Sequence, residues 1–171
     1  MNRLVWHFRL LTSRLVFGLL LLATMAGGTG AGEKQVIGWI ERVAVSTDGL
    51  VMEAKVDTGA DFSSVHADDI RRYVQDGQPW VEFSLVDEDN NRRVLRKPVV
   101  RIARIKKKTA GNQERPVVTL QLCVGASTRL EQVNLAQRGH FKYPLLLGRN
   151  FLGGHYLVDA GAKYLLAPDC R

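Results

Sequence analysis

The chain has 171 residues, 24 Lys+Arg against 17 Asp+Glu, and a formal net charge of +7. That length supports one domain, and 46% hydrophobic with 24% charged residues excludes disordered and collagen-like classes. Two cysteines, Cys123 and Cys170, are too few for a disulfide scaffold or an all-cysteine zinc site.

The first element is an address. Residues 1–14 carry Arg3, Arg9 and Arg14, with no acid before residue 33. An uncharged apolar run of 11 residues, 15–25, follows, and then Ala26 and a glycine-rich stretch. This is the export-signal pattern. Such a run rises only about 16 Å as a helix, against a ~30 Å hydrocarbon core. Thr24-x-Ala26 and Thr29-x-Ala31 both suit cleavage, and an uncleaved signal anchor is the competing reading. The expected organisation is a signal or anchor plus linker at 1–32 and one domain at 33–171. The expected location is periplasmic, either soluble after cleavage or held at the inner membrane. In that oxidising setting Cys123 and Cys170 either pair or stay as two half-buried thiols.

From residue 35 onward the pattern is short and β-like. Residues 36–45 and 50–56 flank the Thr47-Asp48-Gly49 turn signal and predict a hairpin. Residues 67–74 (ADDIRRYV) open on polar residues and suggest one or two helical turns. In residues 80–86, Val81, Phe83 and Leu85 share one face of a strand. A polar turn at 87–91 precedes a returning strand at 92–97. Pro98 breaks it, and 99–105 resumes. Residues 106–116 form a polar loop. Strands follow at 117–124 and 128–135, then short ones at 145–147, 156–159 and 163–166. Trp39 and Trp80 fall at strand positions and read as core. Strands at this spacing indicate an all-β barrel or sandwich.

The positive charge is not spread evenly. Arg92, Arg93, Arg96, Lys97, Arg101, Arg104, Lys106, Lys107, Lys108 and Arg115 stand against Glu114 alone, so residues 92–115 are +9. Outside the leader and this segment, 11 bases face 16 acids. The segment has no aromatic residue for base stacking, which argues against a nucleic-acid partner. It reads as two solvated strands and a loop, or as a patch for anionic lipid or an acidic partner.

The sharpest local feature is Val56-Asp57-Thr58-Gly59-Ala60-Asp61. A strand delivers an aspartate, a hydroxyl and a glycine into a turn. Aspartic peptidases need two carboxylates that share one proton and hold a water between them. A second feature, Tyr143-Pro144-Leu145-Leu146-Leu147-Gly148-Arg149-Asn150, sets an apolar strand before Gly-Arg-Asn. Together these resemble the retropepsin-like aspartic peptidases. The resemblance is closer still to the bacterial retropepsin-like family often named ATP-dependent zinc proteases. It extends through KVDTGADFSSVHA at 55–67, RKPVV at 96–100, RPVVTL at 115–120 and Val158-Asp159, and so covers roughly residues 37–166.

The resemblance implies a small closed β-barrel with one or two short helices and Asp57 as the catalytic residue. Thr58, Gly59, Ala60 and Asp61 would form the active-site loop, with Gly148, Arg149 and Asn150 beneath it. It implies an Arg149–Asp61 pair, with side chains within about 4 Å. It also implies an endopeptidase acting on a protein or peptide substrate, and an active site shared by two chains of a homodimer, each giving one aspartate. Asp159-Ala160-Gly161 is a second acidic turn within the chain. Ala160 lacks the hydroxyl of Thr58 and too few residues follow for a second lobe, so Asp159 reads as a turn acceptor. Between Asp57 and Gly148 the spacing of 91 positions leaves room for a long flap that contains the basic segment.

No H-E-x-x-H and no phosphate-binding glycine loop is present, and His7, His66, His140 and His155 lack ligand spacing, so no cofactor and no metal is expected. His66 reads as a packed loop histidine, and Arg138 as an ion-pair partner or a dimer contact. The rival readings are a catalytically silent peptide-binding module on the same barrel and, third, a metal-dependent hydrolase.

Overall fold

The structure, a computed structural model, describes residues 33–45, 49–106, 112–137, 139 and 141–170. The signal segment, Lys107, Lys108, Arg138 and His140 lie outside the described residues.

Strand β1 (Gln35–Val45) and β2 (Leu50–Val56) form the expected antiparallel hairpin, with Val43 opposite Met52 and Val45 opposite Leu50. These four side chains are buried, and alternation carries them into one core. Strand β3 (Ser63–His66) and the short β10 (Leu145–Leu147) complete the central feature. β10 lies between β2, to which it is parallel, and β3, to which it is antiparallel. Strand β8 (Asn112–Val124) pairs with β9 (Ser127–Ala136), β9 pairs with β3, and β8 returns to β1. Six strands, in the order β1-β2-β10-β3-β9-β8, thus close a barrel. Its interior is filled by residues such as Ile37, Leu120, Leu122, Val133, Leu145, Leu147 and Phe151. Strand β7 (Arg101–Lys106) extends this sheet beyond β8, and β11 (Tyr156–Lys163) runs parallel to β1 on its other side.

Residues 67–74 depart from the expected helical turns. They form strand β4 (Asp68–Gln75) of a separate three-stranded sheet with β5 (Gln78–Val86) and β6 (Arg92–Pro98). A bulge between Asp68 and Arg71, with Asp69 at φ 50°, lets this polar strand pair with β5. Arg92 then ion-pairs with both Asp68 and Asp69. The acidic pair that resembled a helix start serves a cross-strand contact instead. Val81, Phe83 and Leu85 are buried together as expected, and Ser84 is buried with them. The 87–91 turn is closed by Asp87, whose carboxylate accepts from Asn91 N (2.7 Å), Asn91 Nδ2 (3.0 Å) and Asp89 N (2.9 Å). The Asn91 side-chain hydrogen bond leads in holding this carboxyl below the usual range.

The expected polar loop 106–116 is shorter than predicted. β7 runs to Lys106 and β8 begins at Asn112, so pairing extends well beyond the apolar positions. The one helix among the described residues is α1 (Arg149–Leu152), a single turn after β10. Trp39 and Trp80 are half-buried, not core. Trp39 meets Tyr143 edge-on at 6.2 Å and carries the Lys163 ammonium over its ring at 4.7 Å.

Two devices fix the C-terminal tail. Cys123 and Cys170 are joined by a disulfide, and Asp169 N donates to Gly125 O at 2.7 Å. Glu41, fully buried, accepts from Gly38 N (2.6 Å), Leu165 N (3.1 Å) and Leu166 N (3.2 Å). Its carboxylate replaces strand partners where β11 ends and the chain leaves the sheet.

Candidate active site

Parallel pairing of β2 with β10 sets Val56 beside Leu147, so the next residues, Asp57 and Gly148, emerge side by side at one end of the barrel. Asp57 N donates to Leu147 O at 2.9 Å, which continues the pairing by one step. The chain then turns back. Gly59 N donates to Asp57 Oδ1 at 2.9 Å and Ala60 N to Asp57 O at 3.2 Å. Asp57 is therefore half-buried, with one carboxylate oxygen fixed by its own loop. Thr58 and Gly59 form the exposed tip.

The loop 57–61 is held from beneath by the start of α1. Arg149 N donates to Ala60 O at 2.8 Å, and Asn150 N to Asp61 O at 3.1 Å. The Arg149 guanidinium bridges the loop from the side, donating to Thr58 O at 2.9 Å and ion-pairing with Asp61. The pair expected from the resemblance is thus formed. Both partners are more than half exposed, so its value is geometric more than energetic. Gly148 is required by space. A Cβ there would lie 2.6 Å from Phe62 C, 2.8 Å from Phe62 O and 3.0 Å from Ala60 O, all backbone atoms.

Asn150 ties these pieces to the barrel wall. Its Oδ1 accepts from Ser63 N at 2.8 Å and Ser63 Oγ at 2.9 Å. Its Nδ2 donates to Gln132 O at 3.0 Å and Glu131 Oε2 at 3.2 Å. The Ser63 hydroxyl in turn accepts from Gly148 N at 3.1 Å. Glu131 is held by Arg129 at 2.5 Å, and Arg129 donates to Phe151 O at 2.6 Å. Ser63, Glu131 and Arg129 were not singled out from the sequence. Only Ser63 carried a signal, through its place in the 55–67 stretch.

All eight residues expected at the site come together: Asp57, Thr58, Gly59, Ala60, Asp61, Gly148, Arg149 and Asn150. Thr58 contributes its carbonyl within the chain, while its side chain is exposed. Asp159 behaves as a turn acceptor, taking Gly161 N at 2.8 Å on strand β11. His66 lies on β3, with Nε2 3.3 Å from Asp68 Oδ1. The zinc implied by the older family name finds no matching donor set. Among the described residues no three His, Cys, Asp or Glu side chains gather as ligands.

A family model described as RimB-like, retropepsin-like aspartic endopeptidase RimB, matches residues 36–168. A protein of Shewanella pealeana named a probable alpha-L-glutamate ligase is 31% identical over 137 residues, which are 78% of this chain and 30% of that protein. A protein of Desulfotalea psychrophila with the same name is 30% identical over 138 residues, again 78% of this chain and 30% of its own length. The chain thus spans about 30% of the length of these curated relatives. A crystal structure of a Legionella pneumophila protein of unknown function (DUF785) superposes with a TM-score of 0.66 at 29% identity, covering 78% of this chain and 98% of that one.

Proposed function

The chain belongs to the RimB-like family of retropepsin-like aspartic endopeptidases, and from that premise we propose that it hydrolyses peptide bonds as an exported homodimer. The carrying observation is the loop 57–61, which presents the Asp57 carboxylate at the barrel end and is braced by Gly148, Arg149 and Asn150. A single carboxylate cannot act as both base and acid. Two copies related by a twofold axis supply one Asp57 each. Like charges held close share one proton, so one carboxylate activates water while the other, protonated, polarises the scissile carbonyl. The exposed Thr58 tip is free to meet its twin across the axis. The Cys123–Cys170 disulfide supports export, because such bonds persist in oxidising compartments.

The substrate we propose is an acidic peptide. The β7–β8 hairpin beside the site carries Arg101, Arg104 and Arg115, and the relatives named above are glutamate ligases by title. The test is cleavage of a peptide library by wild type and Asp57→Asn, with pepstatin and EDTA as controls. Wild type cleaves with a bell-shaped pH profile and ignores EDTA, and Asp57→Asn is inert. An active Asp57→Asn protein overturns the reading.

One observation favours a second reading. In the ligase-named relatives the matching stretch is about 30% of a longer chain. A peptide-binding module attached to another activity would fit that arrangement. Such a module binds peptide equally well as Asp57→Asn and cleaves nothing.

A further inference from the structure

Beside the active-site loop lies an open cleft of about 430 Å³, lined by Phe62, Arg101, Ile102, Arg104, Ile105 and Asn134. Phe62 directly follows Asp61, so one wall of the cleft is joined in sequence to the loop that carries Asp57. Two polar atoms in its lining residues are buried without a partner among the described residues: Arg101 Nη2, a donor, and Asn134 Oδ1, an acceptor. Native chains rarely leave such atoms unpaired, and doing so on an otherwise well-bonded side chain points to a ligand.

Both side chains are otherwise fixed. Arg101 Nε donates to Gln132 Oε1 at 3.1 Å, and its guanidinium packs 4.3 Å from the centre of the Phe62 ring. Asn134, 6% exposed, donates through Nδ2 to Ser63 O at 3.2 Å, which sets which end of the amide is the free oxygen. A guanidinium braced at Nε and on one face keeps its remaining nitrogens for a planar acceptor.

We propose that Arg101 is a specificity-determining residue that reads a carboxylate side chain of the substrate, while Asn134 Oδ1 takes a backbone N–H of the same extended peptide. The inference rests on the peptidase reading and names the group that selects its acidic substrate. Phe62 is 43% exposed, so the ring that packs on the guanidinium also borders the cleft. A carboxylate there meets a guanidinium whose Nη2 is already out of water, which strengthens a charge-assisted hydrogen bond.

The experiment uses neutral octapeptides in which a single Glu is moved along the sequence, each matched with its Gln counterpart. Two quantities are measured on the full chain: the Glu/Gln ratio of kcat/KM, and the Glu/Gln ratio of affinity for fluorescein-labelled peptides on Asp57→Asn protein. At one position the Glu peptide is favoured by about 10- to 100-fold. R101Q brings both ratios close to one, R101K retains part of the preference, and R101E favours the matching Lys peptide. An unchanged ratio in R101Q overturns the inference. So does a wild type that discriminates Glu from Gln at no position or binds neither. The peptide series on wild type decides the matter even if R101Q does not fold. If no peptide is cleaved but binding keeps an Arg101-dependent Glu preference, the peptidase reading fails and this inference stands.

Discussion

Asn150→Asp changes one atom type and leaves the shape, so it isolates what the amide contributes. Oδ1 keeps its two partners, Ser63 N at 2.8 Å and Ser63 Oγ at 2.9 Å. Nδ2 becomes an oxygen facing Gln132 O at 3.0 Å and Glu131 Oε2 at 3.2 Å, and both donor bonds are lost. The bond to a neutral carbonyl is worth about 1 kcal/mol and the one to a carboxylate about 1.5–3 kcal/mol. Repulsion between two carboxylates adds roughly 1 kcal/mol or more, tempered by Arg129 at 2.5 Å from Glu131. The expected loss is about 3–5 kcal/mol at pH 7, a large share of the ~5–15 kcal/mol that holds a domain. Thermal denaturation should show Tm lowered by roughly 10 °C or more. The introduced carboxyl has its folded pKa raised above the unfolded ~3.9 by Glu131. A raised acid destabilises only while ionised, so the deficit is full at neutral pH and shrinks as pH falls through the folded pKa. A Tm within about 2 °C of wild type at pH 7 would refute the hub role of Asn150. An equal deficit at pH 7 and pH 4.5 would refute the like-charge part.

Three further outcomes follow from the same geometry. Gly148→Ala forces a Cβ into three backbone atoms at 2.6–3.0 Å and should cost about 2–3 kcal/mol and displace the 57–61 loop, whereas Gly59→Ala meets only one side-chain atom, Asp57 Oδ1, at 3.2 Å. Urea midpoints that rank the two equally would contradict this. Glu41→Ala strips the acceptor from three N–H groups and should lower stability by about 2–4 kcal/mol in urea titrations, with the tail beyond β11 losing hydrogen-exchange protection first. Reducing the Cys123–Cys170 bond, which spans 47 positions, frees about 4 kcal/mol of chain entropy in the unfolded state, and denaturation with and without reductant should differ by up to that amount.

What could be read from the chain, and what could not, follows the reach of the interactions. The β1–β2 hairpin and the buried face of β5 follow from alternation, because one face of each packs on the core. The Arg149–Asp61 pair was readable through two short motifs. Residues 67–74 do not announce a strand, because one with few buried side chains lacks the alternating signal, and its pairing with β5 is set by backbone and by Arg92. The extension of β7 and β8 to Lys106 and Asn112 failed for the same reason. Polar residues suggest a loop, yet strands that project past the core pair without needing apolar side chains. Trp39 is half-buried, and a strand position does not say which face is covered.

Glu41, Arg101 and Asn134 form the harder class. Each is a polar side chain whose partner lies far along the chain: Glu41 with Leu165 and Leu166, Arg101 with Gln132, Asn134 with Ser63. No local pattern marks them, since nothing nearby in sequence needs them. The loop residues are different. Asp57, Gly59, Ala60 and Asp61 contact one another and the compact Gly148–Asn150 turn, so their geometry is written in two short stretches. Chemistry at the barrel end is therefore legible as a motif. The proposed choice of substrate rests on side chains from separate elements, β7, β9 and the loop before β3, that only the folded chain brings to one cleft. A motif match of this kind identifies the reaction to test and leaves its substrate to be read from the walls, which is why the Glu/Gln ratio in R101Q carries more information than loss of activity in Asp57→Asn.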